Sequence, residues 1–530
     1  MTQSTRETER KYAVPASGGL PRLSGLTGGG GKGGRGGGAS LVDAGTHDLD
    51  AVYYDTADLR LSRGSATLRR RTGGSDAGWH LKLPLGGDTR EEIRAPLQEE
   101  IPDRLRELAL SRTRGARLEP VVRIRSRRAV RDLVDADGAC VAEIVLDRVE
   151  AESLLPGGGR TAWSELEVEL VGDGDPRLLK RVDKALGKEG FTRADTPSKL
   201  ARALAETLPD QGRDQDRDRE PAPGGAAPGR PAGAAPGSAG EHVLAYLTEQ
   251  VRTIVALDPA VRRGLPDSVH RMRVACRRLR SGLRSYRSLL DRGVTEPVRA
   301  ELKWLGGELG AERDQEVLAE RLRQGTEELP GELVLGPVAA RLKAWDAAES
   351  TAARERSLAA LSSARYVALL ESLDRLTTHP PLRSRAARKP AKALPRAVLK
   401  EYDRLADRID RARRKSPGPQ RDAAFHEARK KAKRLRYAAE AARPALGKPA
   451  ARLAKEIKAV QKSLGDHHDS VVARESLRRH AVAAHAAGEP GFTWGLLYGR
   501  EQAAAAERER ELAQLWRRGS RGRVRKALRS

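Results

Sequence analysis

Cysteine, aromatic side chains and long apolar runs are all scarce in this 530-residue chain. Its two cysteines, Cys140 and Cys276, lie far apart in sequence. They make neither a disulfide framework nor a thiolate zinc site, and they fit a reducing compartment. Aromatic residues are 3% of the chain, which weakens any single-stranded nucleic-acid reading that relies on base stacking. No apolar run approaches ~18 residues, and the N-terminus lacks the apolar core of a signal peptide. A soluble, cytoplasmic protein is the expectation.

Positive charge is what the chain has in excess. Of the net +26, residues 241–530 carry +25, with 61 Lys and Arg against 36 Asp and Glu, so residues 1–240 are close to neutral. A strongly basic half draws polyanions: nucleic acid, polyphosphate or an anionic membrane surface. The scarcity of aromatics and of apolar runs disfavours the first and the last.

The first half reads as short strands separated by turn signals, which points to an antiparallel sheet or barrel. In Glu7-Thr8-Glu9-Arg10-Lys11, alternation puts Glu7, Glu9 and Lys11 on one face. Paired carboxylates there suit a hard divalent cation, and the lysine suits a phosphate sharing it. Arg69 and Arg71 share a face, as do Arg90, Glu92 and Arg94. Lys82 points opposite to Leu81 and Leu83. Over Val121–Arg128, the arginines 123, 125 and 127 are in phase. Asp147 sits in another strand, and Glu165, Glu167 and Glu169 line one face of the last. Acidic and basic strands are thus segregated, as a barrel with a charged lumen requires. The Gly-rich stretch at 24–38 reads as a loop and lacks the Gly-Lys-Ser/Thr ending of a phosphate-binding P-loop.

Taken in order, Glu7-x-Glu9-x-Lys11, Tyr54-Asp55-Thr56, Leu68-Arg69-x-Arg71, Leu81-Lys82, Arg90-x-Glu92, Ser164-Glu165-x-Glu167-x-Glu169 and Ser198-Lys199 resemble the CYTH family of triphosphate tunnel metalloenzymes over residues 1–206. The resemblance implies an eight-stranded antiparallel β tunnel with flanking helices. It also implies hydrolysis of inorganic triphosphate or a related triphosphate with Mg2+ or Mn2+, adenylate cyclase-like use of ATP being the family's other chemistry. It assigns Glu7, Glu9, Asp147, Glu165 and Glu167 to the metal, with Glu169 as an extension. Lys11, Arg69, Arg71, Lys82 and Lys199 fall to the phosphates. The arginine expected from the Val121–Arg128 strand could be Arg125, Arg127 or Arg128. Glu7, Glu9, Lys11, Arg69, Arg71 and Lys82 form the expected catalytic set.

Residues 207–240, first charged and then Pro/Gly/Ala-rich, read as a disordered tether. From 241 to 530 the period is helical, and a segment repeats. His270-x-x-Arg273-x-x-x-Arg277-x-x-Arg280 returns as His426-x-x-Arg429-x-x-x-Lys433-x-x-Arg436. Leu309-Gly310-x-x-Arg313-Asp314 returns as Leu464-Gly465-x-x-His468-Asp469. Offsets of 0, 3, 7 and 10 make one helical stripe. Residues 271–290 hold seven arginines and no Asp or Glu, so the usual i,i+4 acidic partners are missing. The Asp466–Asp469 run is expected to play a helix-terminal structural role rather than to bind a metal. Residues 517–530 read as a frayed basic tail.

This half resembles the CHAD (conserved-histidine α-helical) family. The resemblance implies two pseudo-symmetric four-helix bundles, about 241–385 and 386–530, presenting a basic surface to inorganic polyphosphate. His270, Arg273, Arg277, Arg280, Arg313, His426, Arg429, Lys433 and Arg436 are the residues it nominates. The combined expectation is an α+β multidomain triphosphatase tethered to a polyphosphate-binding module. It would be cytoplasmic, with polyphosphate granules as one place of residence, and would have neither nucleic-acid nor membrane partner. The competing expectation is a non-catalytic protein that binds and localises polyphosphate.

Overall fold

The computed structural model describes residues 3–15, 18–23, 26, 39–172, 174–208, 234–519 and 522–528. Most of the Gly-rich 24–38 stretch and residues 209–233 of the expected tether lie outside them. The chain forms two compact units, dividing at Gly229/Arg230, and each is described by itself.

In the first unit, eight antiparallel strands close into a barrel. They are β1 (Gln3–Ala13), β2 (Ser40–Asp55), β3 (Thr67–Thr72), β4 (Gly78–Gly86), β5 (Thr89–Ala95), β6 (Glu119–Val134), β7 (Cys140–Ser153) and β8 (Arg160–Leu170). The order runs β5-β4-β3-β2-β6-β7-β8-β1, and β1 returns to β5. That closing strand divides its pairing. Gln3–Thr8 faces β5, and Glu9–Ala13 faces β8. A two-residue strand, β9 (Thr192–Arg193), adds to the outer end of β1.

Residues directly opposite across an antiparallel pair share a face, so the register names the lumen. Lys11 stands opposite Glu167, Glu9 opposite Glu169 and Glu7 opposite Arg90. Asp147 lies between Arg128 and Glu165. Glu92 faces Lys82, which faces Thr67, and Arg69 faces His80. Charge therefore lines the inside, and apolar side chains face outward under helices.

Leu68, Leu81, Leu83 and Ile93 pack beneath α2 (Asp103–Thr113) through Leu105 and Leu108. Ile144, Leu166, Val168 and Leu170 pack beneath α3 (Pro176–Lys188) through Leu179, Val182 and Leu186. Each such buried leucine or isoleucine contributes about 1.5–3 kcal/mol, which offsets the cost of charges in the hollow. Asp55 of the Tyr-Asp-Thr motif has a local job. Its carboxylate accepts from the Thr56, Leu61 and Ser62 amides and so holds the short helix α1 (Arg60–Arg63).

One end of the lumen is apolar and filled. Ala51, Tyr53, Val122, Ile124, Val149, Ala151 and Trp163 pack against Leu200, Ala203 and Leu204 of α4 (Lys199–Thr207). Ser198 caps that helix through Ala201 N–H. Capping fixes where the helix starts, and so where Lys199 enters the barrel.

The second unit holds ten α-helices and two 3-10 turns among the described residues. The first four long helices are α5 (Ala239–Arg262), α6 (Ser268–Ser285), α7 (Arg292–Glu327) and α8 (Val338–Leu361), followed by α9 (Ala364–Thr378). The repeat consists of α10 (Pro390–Arg413), α11 (Pro419–Leu446), α12 (Lys448–Ala486) and α13 (Phe492–Gly519). The two halves share their interiors. One core joins Leu279 and Leu305 to Leu435 and Leu464, and a second joins Leu318 and Leu342 to Leu477 and Trp494.

Two expectations change here. Leu309-Gly310 and Leu464-Gly465 sit in the middle of α7 and α12, not at helix ends. The basic tail forms α14 (Gly522–Ala527), and Leu528 beyond it is buried in the shared core rather than frayed.

Candidate functional site

The barrel encloses a cavity of ≈ 280 Å³ bounded by both signs of charge. On its acidic side, Asp147, Glu165 and Glu167 are buried, and each offers an oxygen within 4.8 Å of the others. Lys199 Nζ sits among them, 2.9 Å from Asp147 Oδ2 and 2.7 Å from both Glu165 Oε1 and Glu167 Oε1. Arg128 Nη2 donates to Asp147 Oδ2 at 2.7 Å and to Glu167 Oε2 at 3.1 Å. Lys11 pairs with Glu167. The Trp163 indole N–H donates to Glu165 Oε2 at 2.7 Å and fixes that carboxylate's orientation.

Burial opposes ionisation of Asp147 and Glu167, yet the cations prevail. Lys11, Lys199 and Arg128 hold Glu167 well below the usual carboxylate range, and Lys199 and Arg128 hold Asp147 low. Burial opposes the Lys199 ammonium in turn, but Asp147, Glu165 and Glu167 keep it charged, well above the ordinary lysine range. An all-carboxylate donor set of this spacing fits a hard, oxygen-seeking ion such as Mg2+ or Mn2+.

Of the five acids expected to hold metal, three form this group. Glu7 lies apart, 2.5 Å from Lys82 Nζ and 3.6 Å from Arg94. Glu9 faces the same hollow, 3.4 Å from Lys11 and 4.0 Å from Arg90. Burial raises Glu7, partly countered by Lys82. Burial and the Glu7 carboxylate push Glu169 up to about 8.

The facing wall carries Arg69, Arg71 and Lys82. At its centre stands Glu92, fully buried, 3.0 Å from His80 Nδ1, 3.5 Å from Lys82 and 3.6 Å from Arg69. Glu92 holds Arg69 and Lys82 in a fixed array. It was visible in the sequence as an in-phase partner of Arg90 and Arg94, but nothing there marked it as a hub. Arg71 pairs with Asp76. Burial beside Arg69 and Arg128 lowers Arg71 to about 9.

The arginine left open along β6 is Arg128. Arg125 and Arg127 are exposed on the outer face, where they border a groove with Arg148 and Glu150. The reason is parity: Val122, Ile124, Ser126 and Arg128 share the inward face.

In the helical unit, α6 and α11 bring both basic stripes to one pocket of ≈ 240 Å³. Arg277, Arg280, His426, Arg429 and Lys433 line it, joined by Arg284 and Arg299. Among the described residues, Arg277, Arg280, Arg284 and Lys433 have no carboxylate within ion-pair distance, and the Arg277 and Arg284 Nε groups are buried without acceptors. Burial and the Arg429 and Arg277 charges pull Lys433 down to about 7.

The Leu-Gly motifs explain the rest of the repeat. Arg273 donates to Asp314 at 3.0 and 3.2 Å, and Arg429 approaches Asp469 at 3.7 Å, one pair per copy. A Cβ on Gly310 would meet Arg273 Nη2 at 3.3 Å, so glycine lets that guanidinium cross the helix. His426 Nδ1 lies 3.1 Å from His468 Nδ1. Arg313 and Arg436 are instead engaged by Glu316 and Glu440, and His270 does not border the pocket. Asp422, His467 and Glu509 form a third cluster, but Arg474 and Arg421 already engage its two carboxylates. It reads as an ionic clasp across three helices.

A CYTH domain model matches residues 5–204, and a CHAD domain model matches residues 245–478. The chain is 38% identical over 528 residues to an uncharacterised protein, Rv2226, of Mycobacterium tuberculosis (strain ATCC 25618 / H37Rv), covering 95% of this chain and 94% of that one. Among solved structures, PptA from Streptomyces chartreusis aligns with TM-score 0.46 and 23% identity, over 53% of this chain and 99% of its own. HpAC1 from Hippeastrum, described as an adenylyl cyclase candidate with a dominant triphosphatase activity, aligns with TM-score 0.23 and 16% identity, over 39% of this chain and 98% of its own. No helix among the described residues is long and apolar enough to cross a membrane.

Proposed function

Because the chain belongs to the CYTH family over its first part and to the CHAD family over its second, we propose that its tunnel hydrolyses inorganic triphosphate or a related triphosphate while its helical unit binds inorganic polyphosphate. One observation carries the first claim. Three carboxylates within 4.8 Å of one another face a basic wall inside a single closed barrel.

Asp147, Glu165 and Glu167 would hold a divalent ion. Bound there, Mg2+ or Mn2+ would supply charge neutralisation at phosphate oxygens and a polarised water. Arg69, Arg71 and Arg128 would grip the phosphate chain by forked hydrogen bonds, and Lys11 and Lys82 would add point charges. Glu92 keeps Arg69 and Lys82 aimed. Such positioning, with charge held ready for the transition state, is the main catalytic resource in phosphoryl transfer. Because α4 fills the other end, substrate enters from one mouth and its length is limited by the hollow.

The polyphosphate claim rests on Arg277, Arg280, Arg284 and Lys433. Half-buried cations crowded together without acids are stabilised when a polyanion arrives. A basic module next in the chain would raise local polyanion concentration for the tunnel.

The test is phosphate release by the full chain from inorganic triphosphate, thiamine triphosphate and ATP, with and without Mg2+ or Mn2+. Metal-dependent release that Glu9→Gln or Asp147→Asn abolishes is the expected result. Cyclic AMP from ATP would select the cyclase chemistry, and no turnover of any substrate would leave a polyphosphate-binding protein.

A further inference from the structure

Lys199 occupies the place where a metal would bind. Its ammonium lies 2.7–2.9 Å from one oxygen each of Asp147, Glu165 and Glu167, the three residues whose donor atoms cluster within 4.8 Å. A small divalent ion such as Mg2+ bonds carboxylate oxygens at about 2.0–2.1 Å. Seated on this trio, it would either overlap the ammonium or face it at bare cation–cation contact across the oxygens. The two cannot share the cage.

Charge bookkeeping agrees. The three carboxylates are already met by Lys199, Arg128 and Lys11, so a dication brings surplus positive charge into a buried hollow. Of the three cations, only Lys199 touches all three acids. It is also the only one carried by a helix rather than by a barrel strand. Four methylenes give its ammonium reach without moving α4.

We infer that Lys199 is a resident counter-ion of the metal cage, exchanged for the divalent ion when triphosphate arrives, and that the released ammonium then binds the phosphate chain. This rests on the triphosphatase reading and gives Lys199 two positions in place of one. The free enzyme then holds metal weakly, and the metal–triphosphate complex is the species that enters, because only the anion offers the displaced ammonium a new partner. The exchange breaks no covalent bond and transfers no proton.

The experiment measures Mn2+ affinity of the full chain by electron paramagnetic resonance without any phosphate present, for wild type, Lys199→Met and Lys82→Met. Lys82 is an equal charge in the same hollow, but it pairs with Glu7 and Glu92 rather than with the trio, so it controls for general electrostatics. Lys199→Met should tighten Mn2+ about tenfold or more, Lys82→Met should do much less, and Lys199→Arg should leave affinity weak. Unchanged or weaker binding in Lys199→Met, with its thermal unfolding still cooperative, overturns the exchange. Equal tightening in both methionine variants also overturns it, since long-range charge would then account for the gain. Adding triphosphate to wild type should tighten Mn2+, and no such tightening counts against the coupled entry. Because the first arm uses no substrate, failure of the triphosphatase reading would show separately, as absence of phosphate release.

Discussion

The two basic regions of this chain solve opposite problems. In the barrel, Lys11, Arg69, Arg71, Lys82, Arg128 and Lys199 each lie within ion-pair distance of a carboxylate, so the hollow is nearly neutral before any ligand comes. In the helical pocket, arginines and Lys433 crowd together with few acids, so the charge is left for a ligand to satisfy. A pre-paired site stabilises its own geometry and discriminates by shape and by metal. An unpaired site attracts anions strongly and broadly, at some cost to the empty protein's stability.

The largest effect that would break this contrast is loss of one tunnel acid. Asp147→Asn leaves Arg128 and Lys199 short of a buried partner, and stability should fall by about 3–5 kcal/mol. Phosphate release should fall about a hundredfold or more. Thermal denaturation and a phosphate assay read the two, and an unchanged melting temperature would mean the pairs contribute little. Next in size, Arg277→Glu should weaken polyphosphate binding about tenfold or more, leave tunnel turnover intact and raise the stability of the empty helical unit. Titration calorimetry on the full chain checks it, with RNA of matched charge as competitor. RNA winning would remove polyphosphate as the preferred ligand.

A smaller, pH-dependent effect sharpens the contrast. Lys433 is held at about 7 against an ordinary 10.5. Between those values the unfolded chain carries a proton that the folded one lacks, so stability of the empty protein should rise with pH across that window. On the proposed reading polyphosphate pairs with the ammonium, so affinity should fall as pH climbs above 7, with proton uptake on binding. Lys433→Met should flatten both trends. The smallest effect is that of Arg127→Ala, which should change turnover less than about twofold, whereas Arg128→Ala should nearly abolish it.

That last pair marks how far the sequence could be read. Alternation in β1, β3 and β8 identified the lumen acids and bases because strand parity there is unbroken. Along β6 it pointed to three in-phase arginines, but the inward face holds Val122, Ile124 and Ser126 before Arg128. Apolar residues face inward there because α4 fills that end, and no local pattern announces a plug contributed 75 residues later. The rule that charge points in and oil points out therefore fails at one end only. In the helical half, the basic stripes were evident from their spacing. Their carboxylate partners, Asp314 for Arg273 and Asp469 for Arg429, come from other helices and were hidden from any window around the stripe. Glu92 was likewise visible as a residue and invisible as a hub, since Arg69, His80 and Lys82 come from two other strands.

The central claim is that acids and bases share one hollow so that a metal-bound triphosphate can be held between them. Anomalous diffraction from crystals of the full chain grown with Mn2+ and a non-hydrolysable triphosphate analogue tests it most directly. The account predicts a manganese peak bounded by Asp147, Glu165 and Glu167, with phosphate density against Arg69, Arg128 and Lys82. A peak confined to the Asp422–His467–Glu509 cluster, with no phosphate in the barrel, would contradict it.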